Sequence, residues 1–294
     1  MGEHKRNHLI DLIKGLLIIL VIIGHILPGT LVENPIRYII YSFHMPAFFY
    51  ISGMLYSGRS SLKDYGLRLG VPWLIAVQVY YVLLNYRTIT FTSYLKSFVT
   101  PYYHLWFVVG FFFCVVVVKL CKENKWILLS LGIILSFLSA ALNGNDYIVW
   151  KFIDHTIRPQ YLLFFAMGLL VKNNVGGVLK RAIIPAALFI LFLPIGFHIQ
   201  ETWWEPLVRY ILLCGIFYNI NLSQYNVKPI VVGVLGRMTY PIYLWHVIGK
   251  IVALYFTHGE YNLYYFIFSG FYVVALIVAL RINKNEKIQF IVGR

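Results

Sequence analysis

An apolar run from Leu9 to Leu27 is long enough to cross a bilayer, yet it carries Asp11, Lys14 and His25. A span of about 20 residues matches the hydrocarbon thickness, and a central Lys or Asp costs roughly 2.5–3.5 kcal/mol on insertion scales. Three ionisable groups in one span must face a protein interior or a wet cavity, not lipid. Their spacing agrees. At about 100° per residue, the step from Lys14 to His25 closes three helical turns to within about 20°. Asp11 sits one turn below Lys14, so the three residues form a polar stripe on an otherwise Ile/Leu/Val helix.

The rest of the chain reads as membrane protein too. Hydrophobic residues make up 60% of it and charged residues 12%, with a mean hydropathy of +0.74. A soluble domain carries about a quarter charged residues. Ten apolar segments follow one another, at residues 8–28, 36–57, 69–86, 104–121, 126–143, 158–172, 182–198, 207–222, 230–256 and 262–281. With the N-terminus inside, seventeen basic residues fall in the inner connections and seven in the outer ones. The positive-inside rule then predicts that both termini are cytoplasmic. The expected fold is an all-α polytopic membrane protein. It is a single bundle of about ten transmembrane helices forming one domain over residues 1–294.

Several alternatives fall away at this level. The polar stripe interrupts the first apolar run and no small-residue cleavage site follows, so no cleavable signal is expected. The net charge of +14 is the positive-inside excess of a polytopic chain, and no nucleic-acid partner is expected. Cys114, Cys121 and Cys214 are scattered in or beside apolar segments and read as small core residues, with no disulfide or metal site.

His25 is the leading candidate for chemistry. It lies about 25 Å along its helix, toward the outer leaflet. A neutral imidazole there can take a proton from a hydroxyl and return it to a leaving group. The bland reading is a histidine that hydrogen-bonds a neighbouring helix. The shared face with Lys14 and Asp11 favours function. The cluster Phe43-His44-Met45-Pro46 with Ile51-Ser52-Gly53 comes next. Pro46 is expected to kink its span, Ser52 and Gly53 permit close helix contact, and His44 is either a second polar group for the same cavity or an ordinary residue near the outer interface. Lys63 and Arg68 stand at the cytoplasmic mouth ahead of Pro72, where cations hold a phosphorylated cosubstrate or simply mark the inner side. His104-Leu105-Trp106-Phe107 opens the fourth segment and Tyr240 to His246 runs through the ninth; both runs read as interface aromatics, from which Trp106 and His246 are candidate cavity or acceptor residues. Arg158 and Arg209 are edge cations that face an anionic acceptor or snorkel.

Together these residues resemble a known family. Asp11-Leu12-Ile13-Lys14-Gly15, Gly24-His25, Phe43-His44-Met45-Pro46 and Ile51-Ser52-Gly53 are similar to the opening signature of the acyltransferase-3 family of membrane O-acyltransferases, in the style of its fucose 4-O-acetylase-like branch. The family's basic residue, ten spacers and histidine are met by Lys14 and His25. Leu105-Trp106-Phe107 is similar to its Leu-Trp-Phe motif, residues 161–168 to its sixth-helix pattern, and Tyr243-Leu244-Trp245-His246 to its late Tyr-Leu-x-His element. The resemblance implies a ten-helix enzyme that moves acetyl from cytoplasmic acetyl-CoA to a sugar hydroxyl. It implies that His25 is essential and that basic residues ahead of the third helix meet the donor. Where many members carry paired arginines, this chain offers Arg68 followed by Leu69 and Gly70, and the hydrolase-like domain some members append is not seen.

The expected activity is membrane O-acetylation of a cell-surface polysaccharide or lipid-linked sugar of the cell envelope, in a bacterial cytoplasmic membrane. His25 is the catalytic base, with Lys14 and Asp11 biasing its surroundings; Arg68 and Lys63 bind the donor. Acetyl-CoA is a cosubstrate and no tightly bound cofactor is expected. The remaining partners are the carbohydrate acceptor, membrane lipids and glycan-assembly proteins. The competing reading is a transporter of a small solute or sugar that uses the Asp–Lys–His stripe as a proton relay. The paired halves common in transporters are not visible.

Overall fold

The computed structural model describes residues 7–142, 148–172, 179–225 and 227–294. Lys5 and Arg6 of the charge count lie outside them. The described residues form helices joined by turns and loops, with no strand among them. Helices lie over all ten apolar segments, with two differences. The third helix starts early, running from Leu62 to Asn85 with a π-helical stretch at Gly66–Gly70. The ninth segment is broken into Val231–Arg237, Thr239–Trp245 and Val247–Phe256. Among the described residues four helices are long and apolar enough to cross a membrane: His8–Ile26, Leu62–Asn85, Lys180–Ile199 and Leu263–Ile282. Large side chains such as Leu191 (69%) and Phe271 (73%) stand exposed on such helices. Hydrocarbon is the solvent that tolerates them there, and the chain is a multi-pass membrane protein.

The chain divides into two compact units that interleave in sequence. The first holds Met1–Tyr56, Asn124–Asn143 and Gln160–Thr239; the second holds Ser57–Glu123, Gly144–Pro159 and Tyr240–Arg294.

In the first unit, His8–Ile26 begins at Asn7, whose side chain accepts from the Ile10 amide at 3.1 Å. The Asn7 amide group also donates to the carbonyls of Leu222 (3.0 Å) and Tyr225 (2.9 Å). One polar side chain thus caps the helix and ties it to a distant turn. His8–Ile26 packs on Val231–Arg237 through reciprocal glycine contacts. A Cβ on Gly15 would overlap the Val232 carbonyl, and one on Gly236 would overlap the Asp11 carbonyl. Pro35–Leu55 packs on Leu162–Lys172 in the same way, with Gly53 against the Phe165 carbonyl and Gly168 against that of Tyr50. Close small-residue approach is how helices associate where no hydrophobic force acts between them. Pro35–Leu55 runs through Pro46 as one helix. Phe49 stacks on Tyr161 with centroids 4.9 Å apart, and the Tyr50 hydroxyl donates to the Phe217 carbonyl at 2.9 Å.

In the second unit, hydroxyls and indoles bind backbone carbonyls of neighbouring elements. Tyr80 donates to Leu244 at 3.1 Å, Tyr240 to Leu69 at 2.5 Å, Trp73 to Leu105 at 2.9 Å and Trp245 to Val292 at 3.1 Å. Leu244 and Val292 lie in the last turns of their helices, where carbonyls lack an intrahelical partner.

Candidate active site

The His8–Ile26 helix decides where its polar stripe points. Its buried residues are Ile10, Gly15, Leu17, Ile18, Val21, Ile22 and Gly24, while Leu16 and Ile23 are exposed. On a wheel of about 100° per residue, Asp11, Lys14 and His25 fall within the buried arc, beside Ile18 (0% exposed) and Val21 (2%). The stripe faces protein. It is also long: Lys14 and His25 are separated by about 16 Å of helical rise. Lys14 and Asp11 therefore sit at one end of the face and His25 at the other. Asp11 lies where the helix backbone meets Gly233 and Gly236.

Around His25, the second helix supplies three residues on successive turns. The Tyr41 hydroxyl is 3.5 Å from both ring nitrogens of His25, and the rings meet edge-on with centroids 6.0 Å apart. Tyr41 also meets His44 edge-on at 4.9 Å. His44 is buried, its Nδ1 2.6 Å from the Ile40 carbonyl. The Arg37 guanidinium lies 5.6 Å from the Tyr41 ring centroid, within cation–π range, and its Nε is buried with no hydrogen-bond partner. His25 and His44, picked out separately in sequence, are joined through Tyr41. Tyr41 and Arg37 escaped sequence reasoning as parts of this site; the i, i+4 spacing Arg37–Tyr41 ahead of His44 was the available signal.

Deeper in the first unit lies a charge network. The Tyr38 hydroxyl donates to Glu205 Oε1 at 2.5 Å, and Arg209 Nε is 3.2 Å from the same oxygen. Glu205 is 1% exposed. Arg209, an edge cation in sequence, is thus paired inside the protein, and Glu205 belongs to its network. Ser52 is half-buried and lies about 12 Å of helical rise from His44, outside the His25 cluster.

The remaining candidates belong to the second unit. Lys63 and Arg68 are exposed at the start of the Leu62–Asn85 helix. Ser61 and Asp64 form a capping box there, each side chain bonded to the other's backbone amide. Trp106 is 6% exposed and opens the Trp106–Leu120 helix, with the Arg158 guanidinium 4.1 Å from its ring centroid. His104 and His246 are both buried, their ring centroids 4.6 Å apart. The His246 Nδ1 lies 3.0 and 2.9 Å from the carbonyls of Ile242 and Tyr243, and the Tyr243 hydroxyl donates to the His104 carbonyl. His104, read in sequence as an interface aromatic, is a buried partner of His246.

The first unit thus places an Asp–Lys–His face toward the protein interior and joins two histidines through Tyr41, in a chain of the multi-pass membrane class. A family model described as an acyltransferase domain matches residues 7–282. The chain belongs to the acyltransferase-3 family. Two nodulation proteins NolL are similar to it. That of Sinorhizobium fredii is 30% identical across 59% of this chain and 51% of its own length. That of Mesorhizobium japonicum is 26% identical across 69% of this chain and 59% of its own. The chain thus spans a little over half the length of these curated relatives. No solved structure matches it.

Proposed function

We propose that this chain is a membrane O-acetyltransferase that moves acetyl from cytoplasmic acetyl-CoA to a hydroxyl of a cell-surface polysaccharide or lipid-linked sugar. One observation carries the reading: a member of an acyltransferase family turns Asp11, Lys14 and His25 to the buried face of an apolar helix. Three ionisable groups so placed favour chemistry over glue, and the family makes that chemistry acyl transfer, not transport.

In this account His25 takes the proton of the acceptor hydroxyl as its oxygen attacks the thioester carbonyl. The C–S bond breaks, the coenzyme thiolate leaves, and the proton on His25 passes to it. Tyr41 holds the imidazole edge-on, while Lys14 and Asp11, at the far end of the helix, bias the field along the stripe and do not touch His25. Arg68 and Lys63 meet the donor phosphates at the cytoplasmic mouth. The acetyltransferase forms one domain over residues 1–294, a bundle of ten spans with both termini cytoplasmic, in a bacterial cytoplasmic membrane. Glycan-assembly proteins are its partners.

Radiolabelled acetyl-CoA incubated with membranes carrying the protein tests the reading. Label should pass to glycan. Solute uptake with no labelled glycan would overturn the proposal in favour of transport.

A further inference from the structure

Three arginines bury their Nε atoms with no hydrogen-bond partner: Arg37, Arg158 and Arg209. Arg209 has the Glu205 carboxylate beside it, and Arg37 lies over Tyr41 at the candidate active site. Arg158 is different. It closes the π-helical stretch Ile153–Ile157 with φ 50° and ψ 61°, a left-handed conformation. That region is uncommon for a residue with a Cβ, and the following Pro159 independently disfavours helical backbone at the preceding position. Strain of this kind persists only where the surroundings impose it, and it gathers at functional sites.

The surroundings do impose it. Thr156, 2% exposed, donates to the Val99 carbonyl at 2.7 Å. The Arg158 amide donates to the Ile153 carbonyl at 2.9 Å. The guanidinium lies 4.1 Å above Trp106. Trp106 is itself held by its neighbours, since Trp73 binds the Leu105 carbonyl and Tyr243 that of His104. A cation is thus fixed on a rigid aromatic platform in a strained backbone, with a buried donor unused and no carboxylate ion-paired to it among the described residues. A snorkelling arginine needs none of this. A planar fork held in one orientation is what recognition of a carboxylate or phosphate requires.

We infer that Arg158, seated on Trp106, is the anion-binding residue of an acceptor subsite and takes a carboxylate or phosphate group on the carbohydrate acceptor. The inference rests on the acetyltransferase reading for the word acceptor. The charge alternation in the sequence puts residue 158 at the outer end of its apolar segment, away from the cytoplasmic donor.

The test is binding to the full chain in detergent, followed by ligand-observed NMR. The probes are glucuronate, glucose 1-phosphate, neutral glucose and coenzyme A. The wild type should bind one of the two anionic sugars at least about tenfold more tightly than glucose. Glucuronate or glucose 1-phosphate, whichever wins, identifies the carboxylate or the phosphate as the group read. Arg158→Gln should erase the preference, Arg158→Lys should keep part of it, and both should leave coenzyme A affinity unchanged. Arg158→Lys, which keeps the charge on Trp106, controls for folding. No anion preference in the wild type, or a preference that survives Arg158→Gln, overturns the inference. So does a loss confined to coenzyme A, which would place the residue at the donor. Binding needs no turnover. An Arg158-dependent preference without acetyl transfer from labelled acetyl-CoA would therefore refute the functional reading and leave the anion site standing.

Discussion

Removing the charge of Glu205 tests whether the first unit is held by a buried ion pair. Arg209 Nε and Glu205 Oε1 are 3.2 Å apart, which at an effective dielectric of about 20 corresponds to about 5 kcal/mol of attraction. Much of that offsets the desolvation of the two ions, so the pair adds little net stability over an apolar one. Breaking it from one side is another matter. Glu205→Gln keeps the shape and leaves an oxygen for the Tyr38 hydroxyl, but it strands the Arg209 charge, at a cost of about 3–5 kcal/mol. At about 2–4 °C per kcal/mol the unfolding midpoint in detergent, followed by circular dichroism, should fall by on the order of 10 °C. Arg209→Met should cost less, because a lone carboxyl can neutralise by taking a proton. The double variant Glu205→Gln/Arg209→Met should lose less than the sum of the two singles, by a coupling of about 1–3 kcal/mol. A Glu205→Gln protein that melts with the wild type, or a double variant whose loss is the sum of the singles, would refute the argument.

Other expectations follow from the packing and the charge pattern. Gly168→Val should lower the melting temperature and the yield of folded protein, at about 1–3 kcal/mol for overpacking, because its Cβ meets the Tyr50 carbonyl. Gly270→Ala, with nothing within 4 Å of the added carbon, should match or exceed the wild type in the same melt. Arg68→Ala should raise KM for acetyl-CoA several-fold while kcat and protein level change little; an unchanged KM removes Arg68 from the donor site. Reporter fusions at Trp203 and at Arg294 should report opposite sides of the membrane, and the same side would break the ten-span topology.

How far the sequence revealed these features depended on the range of the interaction. The stripe on His8–Ile26 was readable because one helix carries all three residues and the 3.6-residue period fixes their common face. Segment positions were readable for the same reason, since apolar length alone marks them. The Glu205–Arg209–Tyr38 network was not readable, because Tyr38 and Glu205 are brought together only by packing between helices far apart in the chain. Tyr41 was hidden differently: one more tyrosine among 23 carries no signal until its hydroxyl is placed beside His25. The break of the ninth segment at Met238 and His246 also escaped. The apolar count runs on through Arg237 and Pro241, and the Leu244 carbonyl near the second break is satisfied by the Tyr80 hydroxyl from elsewhere in the second unit. The left-handed backbone of Arg158 left no trace beyond the Arg-Pro pair.

The central claim is that His25 is the general base of acetyl transfer, and one measurement meets it directly. Wild-type and His25→Ala proteins are purified to equal folded amounts, verified by circular dichroism and melting. Transfer of label from acetyl-CoA to acceptor glycan is then compared. Loss of a general base predicts a rate reduced at least about 100-fold, with folding kept because the substitution strands no charge. A His25→Ala protein that labels glycan at nearly the wild-type rate would contradict the account.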